Sequence, residues 1–274
     1  SGNGAHGRTG IFRHAQGARS GRGGPVTGET GKSDTWLLVS DIDDTLTGNR
    51  TDLERLWHQL KNAKSHLKLA LNSSRPAASV DQTLADYFPE GFEPDAIITG
   101  LGTEIRLDRF FLESWQSRFI DWPDEEVRKI VRKLGYDAHD DKFQTDGKAS
   151  FAVPGKDGVD AILAALRDEG IPFRHIYSGT SDLDILAPGA GKDAAMRHLA
   201  SHLGIPMERT IAAGDSGNDL ALFEAAGKAI AVGNARQELL STLPRHKTYL
   251  ASAHHAAGVL EGLTVMGLLP QSAV

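Results

Sequence analysis

The chain has 274 residues, 40% of them hydrophobic and 24% charged, with a net charge of −6. That is the profile of a soluble protein of one large or two modest domains, with no general attraction for nucleic acid or an anionic membrane surface. There is no cysteine, which excludes disulfide scaffolds, thiolate catalysis and Cys-ligated metal centres. No apolar run approaches the roughly 20 residues that a bilayer span needs, and no apolar signal core stands near the N-terminus. A cytoplasmic location is therefore expected.

Residues 1–34 hold 10 of the 30 glycines, five basic and two acidic residues, and no long apolar run. Such a segment buries too little surface to offset its ordering entropy and is expected to be a disordered tail. The remaining body carries 25 basic and 34 acidic residues, a balance of −9. An anionic substrate would have to be held there by local cations or a metal.

Trp36–Ser40 is an apolar run of strand length. A helical face follows at Leu53, Leu56, Trp57 and Leu60. Leu67–Leu71 and Ala96–Thr99 are further strands, separated by a helix that Pro76 opens and Leu84 continues. Helices are predicted from Asp124, read as an N-cap, to Leu134 and over Gly158–Glu169. Strands are predicted over Ala149–Val153, Phe173–Tyr177 and Leu183–Leu186. The strand and helix alternation then resumes: helix Lys192–Leu203, strand Thr210–Ala213, helix Leu220–Ala226 and strand Ala229–Val232, the last closed by Gly233-Asn234. Helix Gln237–Leu243, strand Thr248–Leu250 and helix Ala257–Met266 complete the chain. This rhythm predicts an α/β core with a Rossmann-like parallel sheet. It is interrupted by an α+β insert, so the expected division is core over 35–112, insert over 113–187 and core over 188–274.

In open α/β sheets the site lies outside the carboxyl ends of the strands. Asp41 and Asp43 follow the first strand there, and Asp215 and Asp219 follow a later one. Four carboxylates converging at one edge repel unless a cation sits among them. All-oxygen ligands favour Mg2+. A lone Asp-x-Asp is more often a turn former, but two such clusters at strand ends outweigh that reading. Ser73 and the amides after it stand where a helix N-terminus would hold a phosphoryl oxygen, and Lys192 supplies a cation. Phosphoryl transfer requires such charge around the phosphate and an in-line nucleophile, here a carboxylate.

The motifs Asp41-Ile42-Asp43-Asp44-Thr45, Asn72-Ser73-Ser74-Arg75, Lys192 and Gly214-Asp215-Ser216-Gly217-Asn218-Asp219 resemble those of the haloacid dehalogenase superfamily. Within it, the chain is most similar to the phosphatases with the larger α/β cap, the C2 or type IIB class, and to the sucrose-phosphate and mannosylfructose-phosphate phosphatase families. The resemblance covers roughly residues 36–270. It implies a Mg2+-dependent hydrolase of a disaccharide phosphate, most simply sucrose 6-phosphate, with mannosylfructose phosphate or another sugar phosphate as the alternative. It implies that Asp41 attacks phosphorus and Asp43 acts as acid and base. It also implies that Asp41, the Asp43 carbonyl and Asp215 bind Mg2+, and that Asp219 supports the metal shell. Ser73 and Lys192 would bind the phosphoryl group, and Asn218 would orient it or Lys192. Where relatives commonly carry glycine this chain has Ser74, beside a retained Arg75.

For the sugar, the resemblance points to Gly102, Thr103, Glu104, Lys148, Ser178, Gly179, Asp182 and Asp184, with Glu104 and Lys148 pairing in a closed form. The alternation of Leu183-Asp184-Ile185 places Asp182 and Asp184 on one face, and leaves open whether it meets cleft or solvent. Trp115, Phe119 and Trp122 have helical spacing. Core packing is the plainer reading, with a sugar platform or a dimer contact as alternatives. Adjacent His254 and His255 do not face each other as a zinc pair, but the resemblance implies that one of them approaches the site. A monomer is expected, and the resemblance implies association with a sugar-phosphate synthase. A phosphomutase would need a second basic cluster, and a non-catalytic regulator would be expected to have lost the nucleophile or a metal ligand.

Overall fold

The computed structural model describes residues 34–270. Apart from Asp34, which pairs with Arg209 at 2.9 Å, the segment read as a disordered tail lies outside them.

The first strand, β1 (Trp36–Ser40), alternates its side chains between two cores. Leu37 and Val39 join one cluster and Leu38 the other. The helix α1 (Arg50–Asn62) is capped by Asn49, whose side chain accepts from the Asp52 amide. It buries Leu53, Leu56, Trp57 and Leu60, each contributing about 2 kcal/mol by area. Next come β2 (Leu67–Asn72), α2 (Ala77–Tyr87) and β3 (Ala96–Thr99). A hairpin follows, β4 (Glu104–Leu107) with β5 (Phe110–Phe111), and then the short α3 (Glu113–Gln116). The second segment contains α4 (Asp124–Lys133), β6 (Lys148–Ala152), α5 (Lys156–Asp168), β7 (Arg174–Ser178) and β8 (Asp182–Leu186). The last comprises α6 (Lys192–His202), β9 (Thr210–Gly214), α7 (Leu220–Ala225), β10 (Lys228–Ala231), α8 (Gln237–Leu240), β11 (Thr248–Leu250) and α9 (His255–Val265).

The larger sheet has the order β11-β10-β9-β1-β2-β3-β4-β5. It is parallel from β11 to β3, β4 runs antiparallel to β3, and β5 antiparallel to β4. The chain leaves β1 toward β2 and returns on its other side at β9, so β1 and β9 flank a topological switch point. Helices α1, α2 and α9 cover one face, and α6, α7 and α8 the other. The smaller sheet is antiparallel, β6-β8-β7. Its apolar face contributes Ala149, Phe151, Leu183 and Ile185 to the same cluster as α4 and α5. The opposite face carries Lys148, Ser150, Asp182 and Asp184.

Three local expectations change. Asp124 is the first residue of α4 rather than its cap. Pro123 holds the cap position without a side-chain bond, and Asp124 instead pairs with Arg128 one turn on. The helical face through Trp115, Phe119 and Trp122 is not one helix, because α3 spans four residues and the aromatics continue through turns. All three are buried. Trp115 Nε1 donates to the Gly102 carbonyl at 3.2 Å and Trp122 Nε1 to the Pro172 carbonyl at 3.0 Å, so they are core rather than a sugar platform. The β4–β5 hairpin was not foreseen.

Candidate active site

Strand β1 delivers Asp41, whose amide donates to the Ala213 carbonyl of β9 at 2.9 Å. That cross-strand bond places Asp41 beside the loop after β9, which carries Asp215 and Asp219. Oxygens of Asp41, Asp215 and Asp219 lie within 4.8 Å of one another, and all three residues are buried. Lys192, at the start of α6, is only 1% exposed. Its Nζ donates to Asp41 Oδ1 at 2.7 Å, Asp219 Oδ1 at 2.7 Å and Asn218 Oδ1 at 3.1 Å.

The three carboxylates hold different roles in this cluster. Asp219 has both oxygens engaged: Oδ1 accepts from Lys192, and Oδ2 accepts the amides of Asp215 at 3.2 Å and Ser216 at 3.3 Å. It braces the loop rather than presenting a free ligand atom. Asp215 Oδ1 accepts the Thr45 hydroxyl at 3.2 Å, and its other oxygen stands 3.7 Å from Arg236 Nε. Burial pushes Asp41 up to about 8, more than Lys192 offsets, with Asp219 adding to the rise. Burial, then Asp219, raises Asp215 to about 6, against the Thr45 bond and Arg236. Burial opposes the Lys192 charge, but Asp219 and then Asp41 hold its pKa above the ordinary lysine value. Three carboxylates around one ammonium leave an excess of negative charge. An all-oxygen donor set of this kind fits a hard divalent cation such as Mg2+.

The fourth carboxylate does not join the cluster. Asp43 is exposed, and its Oδ2 lies 2.8 Å from Arg75 Nε, an ion pair without hydrogen-bond alignment, since that Nε has no hydrogen-bond partner. The reason is the tight turn after β1. Leu46 and Thr47 amides both donate to the Ile42 carbonyl, and Asp44 is left-handed at φ 59°, turning Asp43 outward. Arg75 also donates to Ser79 and Thr83 in α2. Ser73 is buried, and its hydroxyl accepts the Arg75 amide at 3.1 Å.

Asp43's partner Arg75 opens onto a cleft of about 270 Å3 between the strand-end loops and the polar face of the smaller sheet. Ser74, Arg75 and Asn218 line it from one side, and Lys148, Ser178, Asp182 and Asp184 from the other. Asp182 and Asp184 thus both line the cleft, where Asp184 is largely covered and Asp182 keeps its carboxylate exposed. Lys148 is buried and lies 3.6 Å from Asp184, whose carboxylate also accepts from the Ser150 hydroxyl. The register explains both contacts: Ser150 is directly opposite Asp184, and Lys148 is its diagonal neighbour on the same face.

Lys148 therefore does not pair with Glu104 here. Glu104 accepts the Thr99 hydroxyl at 2.5 Å, directly opposite it in the β3–β4 register. Gly102, Thr103, Glu104 and Gly179 are not among the cleft-lining residues. Thr103 is buried, bonded to the Gly100 carbonyl and to Thr145. Gly102 has φ +87°, and a Cβ there would stand 2.2 Å from the Gly191 carbonyl and 2.7 Å from the Lys192 amide. It allows two backbones to approach beside Lys192. Gly179 turns the β7–β8 hairpin at φ +60°.

Several neighbours were not singled out from the sequence. His139, Phe143 and Ser150 line the cleft, with His139 Nε2 3.1 Å from Asp182 Oδ1. Arg236 faces Asp215 and Asp44. Asn234 and His255 both reach the Asp44 carbonyl, so His255 is the member of the histidine pair that approaches the site. Asn234 had a usable signal, since it follows a strand end. His139 and Phe143 lie in a polar stretch without periodicity, which offered none.

The chain and its fold are similar to known phosphatases. The chain is 33% identical over 248 residues to the mannosylfructose-phosphate phosphatase of Agrobacterium fabrum, covering 86% of this chain and 98% of that one. The solved sucrose-phosphatase of Synechocystis sp. PCC6803, in complex with sucrose and phosphate, aligns with a TM-score of 0.75 at 27% identity, over 86% of this chain and 99% of that one. A sugar phosphatase of haloacid dehalogenase subclass IIB, BT4131, shares the fold at TM-score 0.64 and 16% identity, covering 85% and 100% of the two chains. The chain spans 60% of the length of the tobacco sucrose-phosphatases it also matches. The model of the sucrose-6F-phosphate phosphohydrolase family matches residues 34–267, and this chain belongs to that family.

Proposed function

We propose that this phosphatase hydrolyses a phosphorylated disaccharide, sucrose 6-phosphate first, through an aspartyl-phosphate on Asp41. The observation that carries the reading is the buried group of Asp41, Asp215, Asp219 and Lys192, which Asn218 connects to the polar cleft. Mannosylfructose phosphate is the second candidate substrate. The 33% identity to a mannosylfructose-phosphate phosphatase over nearly its whole length favours it.

Asp41 and Asp215, with the Asp43 backbone carbonyl, are the groups that would hold Mg2+, and Asp219 would brace them. When bound, the cation supplies charge neutralisation for the phosphate oxygens and the carboxylates. The chain's own residues do the rest. Lys192 and Ser73 bind the phosphoryl group, and Lys192 favours the ionised form of Asp41 against the opposing effect of burial, an ionisation that the bound cation would complete. A bond forms between an Asp41 oxygen and phosphorus while the phosphorus–sugar oxygen bond breaks. The leaving oxygen takes its electron pair and a proton from the Asp43 carboxyl. Water then attacks phosphorus, gives a proton to Asp43, and the bond to Asp41 breaks to release inorganic phosphate.

The sugar lies in the cleft. Ser74, Arg75, Lys148, Ser178, Asp182 and Asp184 offer it donors and acceptors of both kinds. Residues 113–187 act as the cap, hinging near Leu112–Ser114 and Leu186–Gly191 and excluding water on closure. We read the protein as a cytoplasmic monomer with a sugar-phosphate synthase as its partner. No helix among the described residues is long and apolar enough to cross a membrane.

The test is phosphate release with Mg2+ from sucrose 6-phosphate, mannosylfructose phosphate, trehalose 6-phosphate, glucose 6-phosphate and fructose 6-phosphate, with EDTA and Asp41→Asn controls. High kcat/KM on one disaccharide phosphate, lost in both controls, is expected. Equal weak turnover on every sugar would refute the cleft assignment, and none at all would refute the activity.

A further inference from the structure

We infer that Asn234 and His255 form a clamp on the Asp44 carbonyl that aims Asp43, making them positioning residues for proton transfer to the leaving oxygen. The inference rests on the reading of Asp43 as the acid–base group.

Both residues stand outside the four motifs, yet they converge on one atom. Asn234 Nδ2 donates to the Asp44 carbonyl at 2.7 Å, and His255 Nδ1 lies 2.8 Å from the same oxygen. A carbonyl only accepts, so Nδ1 carries the proton, and the two donors fill both lone pairs of the oxygen. The donors are tied to each other, because Asn234 Oδ1 accepts the His255 amide at 2.8 Å. Asn234 follows β10 and His255 opens α9, so the clamp fixes the turn after β1 to two separate elements.

That turn needs fixing. Asp44 is left-handed at φ 59°, a region that Asp enters more readily than most L-residues but that is still a minor one for it. It links Asp43, which faces the cleft's Arg75, to Thr45, which bonds Asp215. Released to an ordinary backbone conformation, Asp44 would swing Asp43 relative to Asp41. His255 is itself left-handed at φ 50°, and its ring fills the space a Cβ on Gly48 would enter, at 2.5 Å. The histidine is thus held against the turn rather than free to leave it.

A general acid matters most when the leaving group is poor. A sugar alkoxide needs the proton, whereas p-nitrophenolate leaves well without it. kcat/KM reports steps through the first irreversible one, here transfer to Asp41, so its dependence on the leaving group isolates the acid role. The experiment measures kcat/KM for p-nitrophenyl phosphate and for the best sugar phosphate of the panel, in wild type, Asn234→Asp, His255→Ala, His255→Asn and Asp43→Asn. Asn234→Asp keeps the acceptor and shape but removes the donor. His255→Asn keeps a donor at the same branch position and tolerates positive φ.

Asn234→Asp and His255→Ala are expected to lose about 10- to 100-fold on the sugar phosphate, the scale of a misplaced acid, and about threefold or less on the aryl phosphate. KM stays near wild type, and His255→Asn recovers most of the loss. Equal losses on both substrates, or no loss, while Asp43→Asn remains selective for the sugar phosphate, would overturn the clamp. If Asp43→Asn shows no leaving-group selectivity, the acid assignment itself falls and the inference falls with it.

Discussion

Replacing Lys192 by methionine keeps an unbranched side chain one heavy atom shorter and removes its charge. In the wild type the ammonium is 1% exposed and lies 2.7 Å from both Asp41 and Asp219. At an effective dielectric near 20 each such contact is worth about 6 kcal/mol before desolvation. Desolvating the lysine offsets several kcal/mol, and a carboxylate that takes up a proton limits the remaining loss, so the net cost is about 3–5 kcal/mol. The assay is urea unfolding of the EDTA-treated protein, wild type against Lys192→Met, at about pH 8 and again at about pH 5. The loss should be larger at the higher pH, where the buried carboxylates are forced to ionise without a partner. A saturating divalent cation should recover part of it. Equal stability of the two proteins at about pH 8 without metal would refute the charge balance described for this site.

Three further outcomes follow from the same contacts. Asp41 stands at about 8 and Asp215 at about 6, both above the ordinary 3.8 because of burial. The folded protein therefore keeps protons that the unfolded chain has already released above about pH 4. This contribution to metal-free stability is present at low pH and is lost as pH rises through about 8, so Tm without metal should rise on acidification from about pH 8 to 5, and Asp41→Asn should flatten that slope. Gly102→Ala meets the Gly191 carbonyl at 2.2 Å and a φ of +87°. It should destabilise by about 2 kcal/mol or more and reduce turnover by shifting Lys192, which denaturant titration and kcat would both register. Asp184→Asn loses the partner of buried Lys148 and should raise KM for the sugar phosphate more than it lowers kcat; an unchanged KM would remove Asp184 from the substrate cleft.

Much of this was legible because parallel strands announce themselves. β1, β2, β9 and β10 are short apolar runs with polar strand ends, and those ends carry Asp41, Ser73, Asp215 and Asn234. The β4–β5 hairpin was not legible. Its turn follows the ordinary turn residue Asp108, at φ 47°, with Arg109 at φ 73° where glycine is usual, and Phe110 and Phe111 are exposed. Gly102-Thr103-Glu104 stood as sugar ligands on the family resemblance alone, which says nothing of what packs against the loop. Here the glycine admits the backbone of Gly191 instead. In this structure Lys148 stands beside Asp184 rather than Glu104, because pairing register is a tertiary fact. The strand pattern placed Asp182 and Asp184 on one face without saying that Ser150 and Lys148 would share it. The outward turn of Asp43 likewise depends on Asp44, whose conformation is held by groups about 190 and 211 residues away.

The most direct test of the phosphoryl-transfer proposal is to trap the enzyme during turnover. Wild-type protein mixed with Mg2+ and the best sugar phosphate, quenched in acid within milliseconds and digested, should yield a peptide containing Asp41 that is heavier by one phosphoryl group. Asp41→Asn should yield none. Phosphate found on another residue, or rapid single-turnover phosphate release with no covalent adduct at any quench time, would contradict Asp41 as the nucleophile.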